Sequence, residues 1–134
     1  MNSLRIYIDA ATRGNPGKSG IGVVICDGQN KMVKKVSEDI GVTTNNVGEY
    51  SALIYALQEA LIMGAKEVVV FTDSELVAKQ VSGEYMVKNE DLKRLRKQVD
   101  HLSKGFEKVD IQFIKRERNK SADTLANQAV EDAS

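Results

Sequence analysis

Leu4, Ile6 and Ile8 alternate with Arg5, Tyr7 and Asp9, a period of two that predicts a strand with distinct faces. Asp9 is read as its end, because a Gly/Asn/Pro cluster over residues 14–17 then turns the chain. The segment GIGVVICDG, a β-branched run between glycines, predicts a second strand. A turn at DGQNK leads into MVKKVSEDI, where charges interrupt the apolar positions as on an exposed edge strand. The opening third is expected to be a three-stranded antiparallel meander.

From Tyr50 the spacing changes to helical intervals, with Leu53, Ile54, Leu57 and Leu61 on one stripe and Gly64 as the stop. EVVVFTD is a short continuous apolar run, the pattern of a strand buried on both faces. Leu76, Val77, Gln80 and Val81 start another helix that ends near Gly83, and Leu92, Leu95, Val99 and Leu102 line a further one. Val109, Ile111 and Phe113 predict a fifth strand, and Ala122, Leu125, Ala126 and Ala129 a last helix with a small-residue face. The order is βββαβααβα, an α/β chain with a five-stranded mixed sheet flanked by helices. The crossover rule makes the fourth strand parallel to a meander strand. If that partner is the first strand, Asp9 and Asp73 stand side by side.

The 134 residues, 42% of them hydrophobic, suffice for one domain spanning 1–134. Lys plus Arg and Asp plus Glu are balanced at 19 each, so no overall positive field draws the chain to nucleic acid or anionic lipid. Any such binding must use local patches. Cys26 has no second cysteine to pair with and lies in an apolar run, which suits a reducing compartment. No leader-like start and no apolar run of membrane-spanning length is visible, so the expected location is the cytoplasm, away from membranes. No obligate protein partner is evident, and a monomer is expected.

Gly17-Lys18-Ser19 echoes the end of a phosphate-binding loop, G-x-x-x-x-G-K-[ST], but Thr12 occupies the first glycine position. A phosphate loop runs into a helix, whose N-terminus holds the phosphates, whereas a strand is predicted here. A turn between antiparallel strands is the better reading.

Four carboxylates stand at the ends of strands or the starts of helices. Singly, each has a structural explanation: Asp9 as a turn former, Asp73 as a helix N-cap, Glu49 in a capping box with Asn46, and Asp123 as a favourable charge in a first helical turn. Together they occupy the positions where α/β sheets place ligands. Carboxylates brought close repel, and one takes up a proton unless a divalent cation neutralises them. Oxygen ligation suits Mg²⁺ or Mn²⁺; zinc is disfavoured because the chain offers one histidine, His101, and one cysteine.

The ordered segments IDAATRGNPGKSG, TTNNVGEYSAL, FTDSELV, VKN (87–89) and RERNKSADTLANQA resemble ribonuclease H of type 1 over nearly the whole chain. The resemblance implies the ribonuclease H-like fold and an endonuclease that hydrolyses the RNA strand of RNA/DNA hybrids. It further implies that Asp9, Glu49, Asp73 and Asp123 hold two Mg²⁺ ions, for which Mn²⁺ can substitute, and that cleavage leaves 5′-phosphate and 3′-hydroxyl ends. Asn15, Asn45 and Asn46 occupy substrate-contact positions, and Glu75, Lys88 and Asn89 fall in the other substrate segments.

Three departures from the family pattern stand out. Ala10 replaces the usual glycine after the first aspartate, and Glu75 stands where glutamine is common. The loop KRERNK lacks a histidine, leaving Glu117 or Arg118 as substitutes in product release or water activation. The basic protrusion of some relatives also looks absent, so hybrid binding would rely on Lys88, Lys93, Arg94, Arg96, Lys97 and the 115–120 loop, and should weaken with salt. A solvated helix face accounts for the same residues equally well. Two further readings stay open: a weakly active or inactive module of this fold that binds hybrid or RNA, and a proofreading-type 3′ exonuclease. The latter is disfavoured because that group carries Asp-x-Glu on its first strand, whereas Asp9 precedes Ala10-Ala11.

Overall fold

The computed structural model describes residues 2–132; Met1 and residues 133–134 of the expected 1–134 domain lie outside the described residues. Five strands form one sheet: β1 (Ser3–Gly14), β2 (Gly17–Asp27), β3 (Met32–Thr43), β4 (Glu67–Thr72) and β5 (Lys108–Phe113), in the spatial order β3-β2-β1-β4-β5. The first three are antiparallel neighbours, and β4 and β5 add in parallel. The helices are α1 (Asn45–Ile62), α2 (Glu75–Ser82), α3 (Glu90–Ser103) and α4 (Lys120–Asp132), with a 3₁₀ turn at Arg116–Arg118. The expected element order and mixed sheet are those observed. β3 is the edge strand its charges predicted, with Val36 its one buried residue.

Three local readings change. β1 does not end at Asp9 but runs on to Gly14, turning at Asn15-Pro16, because the long β2 partner extends the ladder to the Gly14–Gly17 pair. Helix α1 begins at Asn45, a turn and a half before the stripe from Tyr50 becomes visible, and its cap is Thr44, whose hydroxyl accepts the Val47 N–H. The Asn46–Glu49 capping box therefore does not form. Ser74, and not Asp73, caps α2 by accepting the Val77 N–H.

The principal core lies between the sheet and α1. Leu4, Ile6, Ile8, Ile21, Val23, Ile25, Val68 and Val70 face Tyr50, Leu53, Leu57 and Ala60, with Leu92 and Val99 of α3 packed behind them. Beside Glu49, the fully buried Tyr50 donates its hydroxyl to Gln80 Oε1 of α2 at 2.8 Å. Tyr50→Phe would leave that amide oxygen buried without its donor, and we expect a loss of about 1–2 kcal/mol in denaturant unfolding.

On the opposite face of β2, Gly20 and Gly22 lie under α4. A side chain at Gly22 would place its Cβ 2.0 Å from Ala122 O and 2.7 Å from Ala126 N, and one at Gly20 would lie 2.6 Å from the Ala129 Cβ. The small-residue stripe of α4 thus rests directly on strand backbone, which brings Asp123 down to the sheet. Gly22→Ala must push the helix backbone away, and we expect it to destabilise the protein by about 3 kcal/mol. A thermal melt within two or three degrees of the parent, a shift worth less than about 1 kcal/mol for a domain of this size, would contradict this account.

Candidate active site

Ile8 of β1 pairs with Thr72 of β4, so the next residues, Asp9 and Asp73, emerge on adjacent parallel strands. Glu49 reaches the same place from α1: its Oε1 accepts the Ala10 N–H at 3.1 Å, a donor shared with Asp9 Oδ1 at 2.9 Å. One carboxylate oxygen from each of Asp9, Glu49 and Asp73 lies within 4.8 Å of the others. Asp9 and Glu49 are each only 4% exposed. Asp123 approaches from the first turn of α4 closely enough to act on Asp9, although it stands outside the three-carboxylate group.

Burial first, then the charge of Asp73 and the contact with Asp123, push Asp9 up to about 8, against the opposing pull of the Ala10 N–H. Glu49 is raised well above the ordinary carboxylate range by burial and by the charges of Asp9 and Asp73. Its second oxygen, Oε2, is buried without a hydrogen-bond partner. Such an oxygen is costly unless something positive meets it. Hard oxygen donors, mutual repulsion and an unsatisfied buried oxygen together fit a hard divalent cation.

The other predicted residues are distributed around this cluster. Asn15, exposed at the β1–β2 turn, accepts the Asn45 N–H through Oδ1 at 2.9 Å, which ties the turn to the start of α1 and leaves its NH₂ as a donor. Asn46 is half-buried in the first turn of α1. Glu75 lies 3.9 Å from Lys79, so its charge is partly met within α2. Asn89 caps α3 through the Leu92 N–H, and Lys88 beside it is exposed. Of the basic residues on α3, Lys93, Arg94 and Arg96 pair with Glu90, Asp91 and Asp100. Glu117 and Arg118 line a cavity of about 390 Å³ with Tyr7, Cys26 and Met32, and none of the four acids lines it.

The Ala10 methyl points away from the open side of the site. Ala10 is buried in the core, and its Cβ lies 3.1 Å from the position of a Cβ on Gly48. The substitution therefore fills space against α1.

Sequence reasoning missed two side chains. Asn119, 1% exposed, donates Nδ2 to Ile8 O at 2.8 Å, fixing the segment before α4 to β1 beside Asp9. Asn127 donates to Asp123. Asn119 carries a local signal, since asparagine before a helix suggests a cap, but that signal points to the wrong partner. Asn127 carries none.

Comparison with known proteins places this fold and its acids at the β1–β4 junction in a family. Residues 7–129 match the family model described as reverse transcriptase-like. Ribonuclease HI of Halobacterium salinarum is 40% identical over 95% of this chain, and ribonuclease H of Chromohalobacter salexigens is 34% identical over 98% of this chain and 87% of its own length. The crystal structure of RNase H1 from Halobacterium salinarum superposes with a TM-score of 0.95 at 38% identity, covering 98% of this chain and 99% of that one. LC11-RNase H1, solved in complex with an RNA/DNA hybrid, gives 0.92 at 41% identity, covering 97% and 98%. The chain belongs to the ribonuclease H family, type 1. It spans 64% of the length of the Halobacterium ribonuclease HI and 35% of that of a bifunctional protein of Mycobacterium tuberculosis.

Proposed function

We propose that the chain is a metal-dependent endoribonuclease that hydrolyses the RNA strand of RNA/DNA hybrids, leaving 5′-phosphate and 3′-hydroxyl ends. The observation that carries this reading is the convergence of Asp9, Glu49 and Asp73, two of them buried, with an unpartnered oxygen on Glu49. Asp9, Glu49, Asp73 and, from α4, Asp123 are the residues that would hold two Mg²⁺ ions, with Mn²⁺ as a substitute. When bound, the ions supply an activated water on one side of the scissile phosphate and counter-charge for the leaving oxygen on the other.

The protein's own contribution is placement. The shared Ala10 N–H orients Asp9 and Glu49 before any ligand arrives. The Asn15 NH₂, its carbonyl oxygen already committed, can donate to a phosphate or to a 2′-hydroxyl, the group that distinguishes RNA from DNA. Asn45, Asn46, Glu75, Lys88 and Asn89 complete the proposed substrate contacts, and Glu117 and Arg118, on the turn before α4, are proposed to assist water activation or product release. The hybrid complex of LC11-RNase H1 supports hybrid as the ligand. We take the chain to act as one domain and as a monomer, in a reducing cytoplasmic setting. The single sheet with its principal core supports the first, and the buried free thiol of Cys26 the last. Among the described residues no helix is long and apolar enough to cross a membrane.

The test is cleavage of an end-labelled RNA/DNA hybrid with MgCl₂ or MnCl₂, with duplex DNA and duplex RNA as controls. Internal cuts confined to the RNA strand are expected. Absence of cleavage with both metals would overturn the reading, and hybrid retention without cutting would replace it with a binding module.

A further inference from the structure

Asp123 differs from Asp9 and Glu49 in how it is held. Asp9 and Glu49 are buried and share the Ala10 N–H, whereas Asp123 is half-exposed on the first turn of a helix. A half-exposed carboxylate beside Asp9 gains by swinging out to water, so something must hold it inward. One turn along α4, Asn127 donates Nδ2 to Asp123 twice, to the backbone oxygen at 2.9 Å and to Oδ1 at 3.1 Å. The other end of the same amide is fixed from outside the helix. Arg13, near the end of β1, donates Nη2 to Asn127 Oδ1 at 2.9 Å and lies 3.7 Å from Glu131.

This contact settles which way the amide faces. With the guanidinium holding Oδ1, the NH₂ must face Asp123. Reversed, the amide would place its oxygen against a carboxylate and its NH₂ against a cation, and both contacts would be repulsive. The donor that reaches Asp123 is also neutral. A lysine or arginine would hold the carboxylate as well, but its charge would repel the cation the carboxylate is there to bind. An amide restrains the ligand and leaves its charge available.

We infer that Asn127 is a positioning residue that orients Asp123 toward the metal site, and that Arg13 locks the Asn127 amide in its working orientation. This rests on the proposed role of Asp123 as a metal ligand. It also links the β1–β2 turn, where Asn15 is proposed to contact substrate, to the last of the four acids through a chain of side-chain hydrogen bonds.

The test uses the full chain as wild type, Asn127→Ala, Arg13→Ala and the double variant. Mg²⁺ and Mn²⁺ binding to the protein alone is measured by calorimetry, and the metal concentration for half-maximal hybrid cleavage by kinetics. Asn127→Ala is expected to raise both the dissociation constant and the half-saturating concentration about tenfold, the usual consequence of removing a hydrogen bond to a metal ligand. Most of kcat should return at saturating metal, with KM for hybrid unchanged. Arg13→Ala should produce a smaller shift of the same kind and add nothing to Asn127→Ala, because it acts through it. A metal-free melting temperature close to wild type separates this role from support of the helix.

Unchanged metal binding in Asn127→Ala would overturn the inference, as would additive effects of the two substitutions. A wild-type protein that binds metal but cuts no hybrid would sink the proposed activity. The calorimetric comparison would still decide the role of Asn127.

Discussion

Asp73→Asn is expected to lower hybrid cleavage by at least about 10³-fold, roughly 4 kcal/mol of transition-state stabilisation, while making the metal-free protein more stable. The two effects share one cause. Asp73 stands within 4.8 Å of Asp9 and Glu49, and its charge is among the reasons both hold their protons so tightly. Asparagine keeps the shape and removes the charge, so the site loses an anionic ligand and the fold loses a repulsion. The repulsion relieved is on the order of 1 kcal/mol for partly solvated charges at this separation. Cleavage of a labelled hybrid reads the first effect, and thermal melts in EDTA at alkaline pH read the second. Were Asp73 merely structural, the variant would cut within tenfold of wild type or melt lower, and either result would refute the assignment.

The second large effect is the pH dependence of stability with and without metal. Asp9 is raised from 3.8 to about 8, so the folded state binds this proton more tightly than the unfolded chain does. The stability linked to it is fully present below about pH 4 and is lost as pH rises through about 8. Glu49, raised in the same direction, adds to the loss. The metal-free protein should therefore melt several degrees lower at about pH 9 than at about pH 5. Saturating Mg²⁺ should flatten or reverse the slope, because the cation displaces the protons and binds only the folded arrangement. Melting curves across this range in EDTA and in MgCl₂ make the comparison. A flat metal-free profile, or a slope that Mg²⁺ leaves untouched, would mean that the acids do not form the strained cluster described here.

Both expectations depend on contacts that sequence pattern reaches unevenly. That β4 lies parallel to a meander strand was legible, because a buried apolar strand after a helix has few ways to rejoin the sheet, but that this strand is β1, which sets Asp9 beside Asp73, came from the structure. The small-residue face of α4 was visible too, although its purpose, resting on Gly20 and Gly22, appears only once β2 lies beneath it. The caps were misread at Glu49 and Asp73 because suitable hydroxyls stood close by: Thr44 and Ser74 took the backbone donors and left the carboxylates to the site.

Element type and order and the edge character of β3 were determined by the sequence itself. Alternation of period two, helical spacing and Gly/Pro turns are local properties, expressed within a few residues. The tertiary structure alone decided which donors and acceptors meet: Glu49 with the Ala10 N–H across 39 residues, Asn119 with Ile8 across 111, and Arg13 with Asn127 across 114. It also decided that the methyl of Ala10 fills the core against α1 and does not face a ligand. Partners so distant in the chain are chosen by strand register and by how closely a helix can approach a sheet, and neither is written in the residues on one side of the contact.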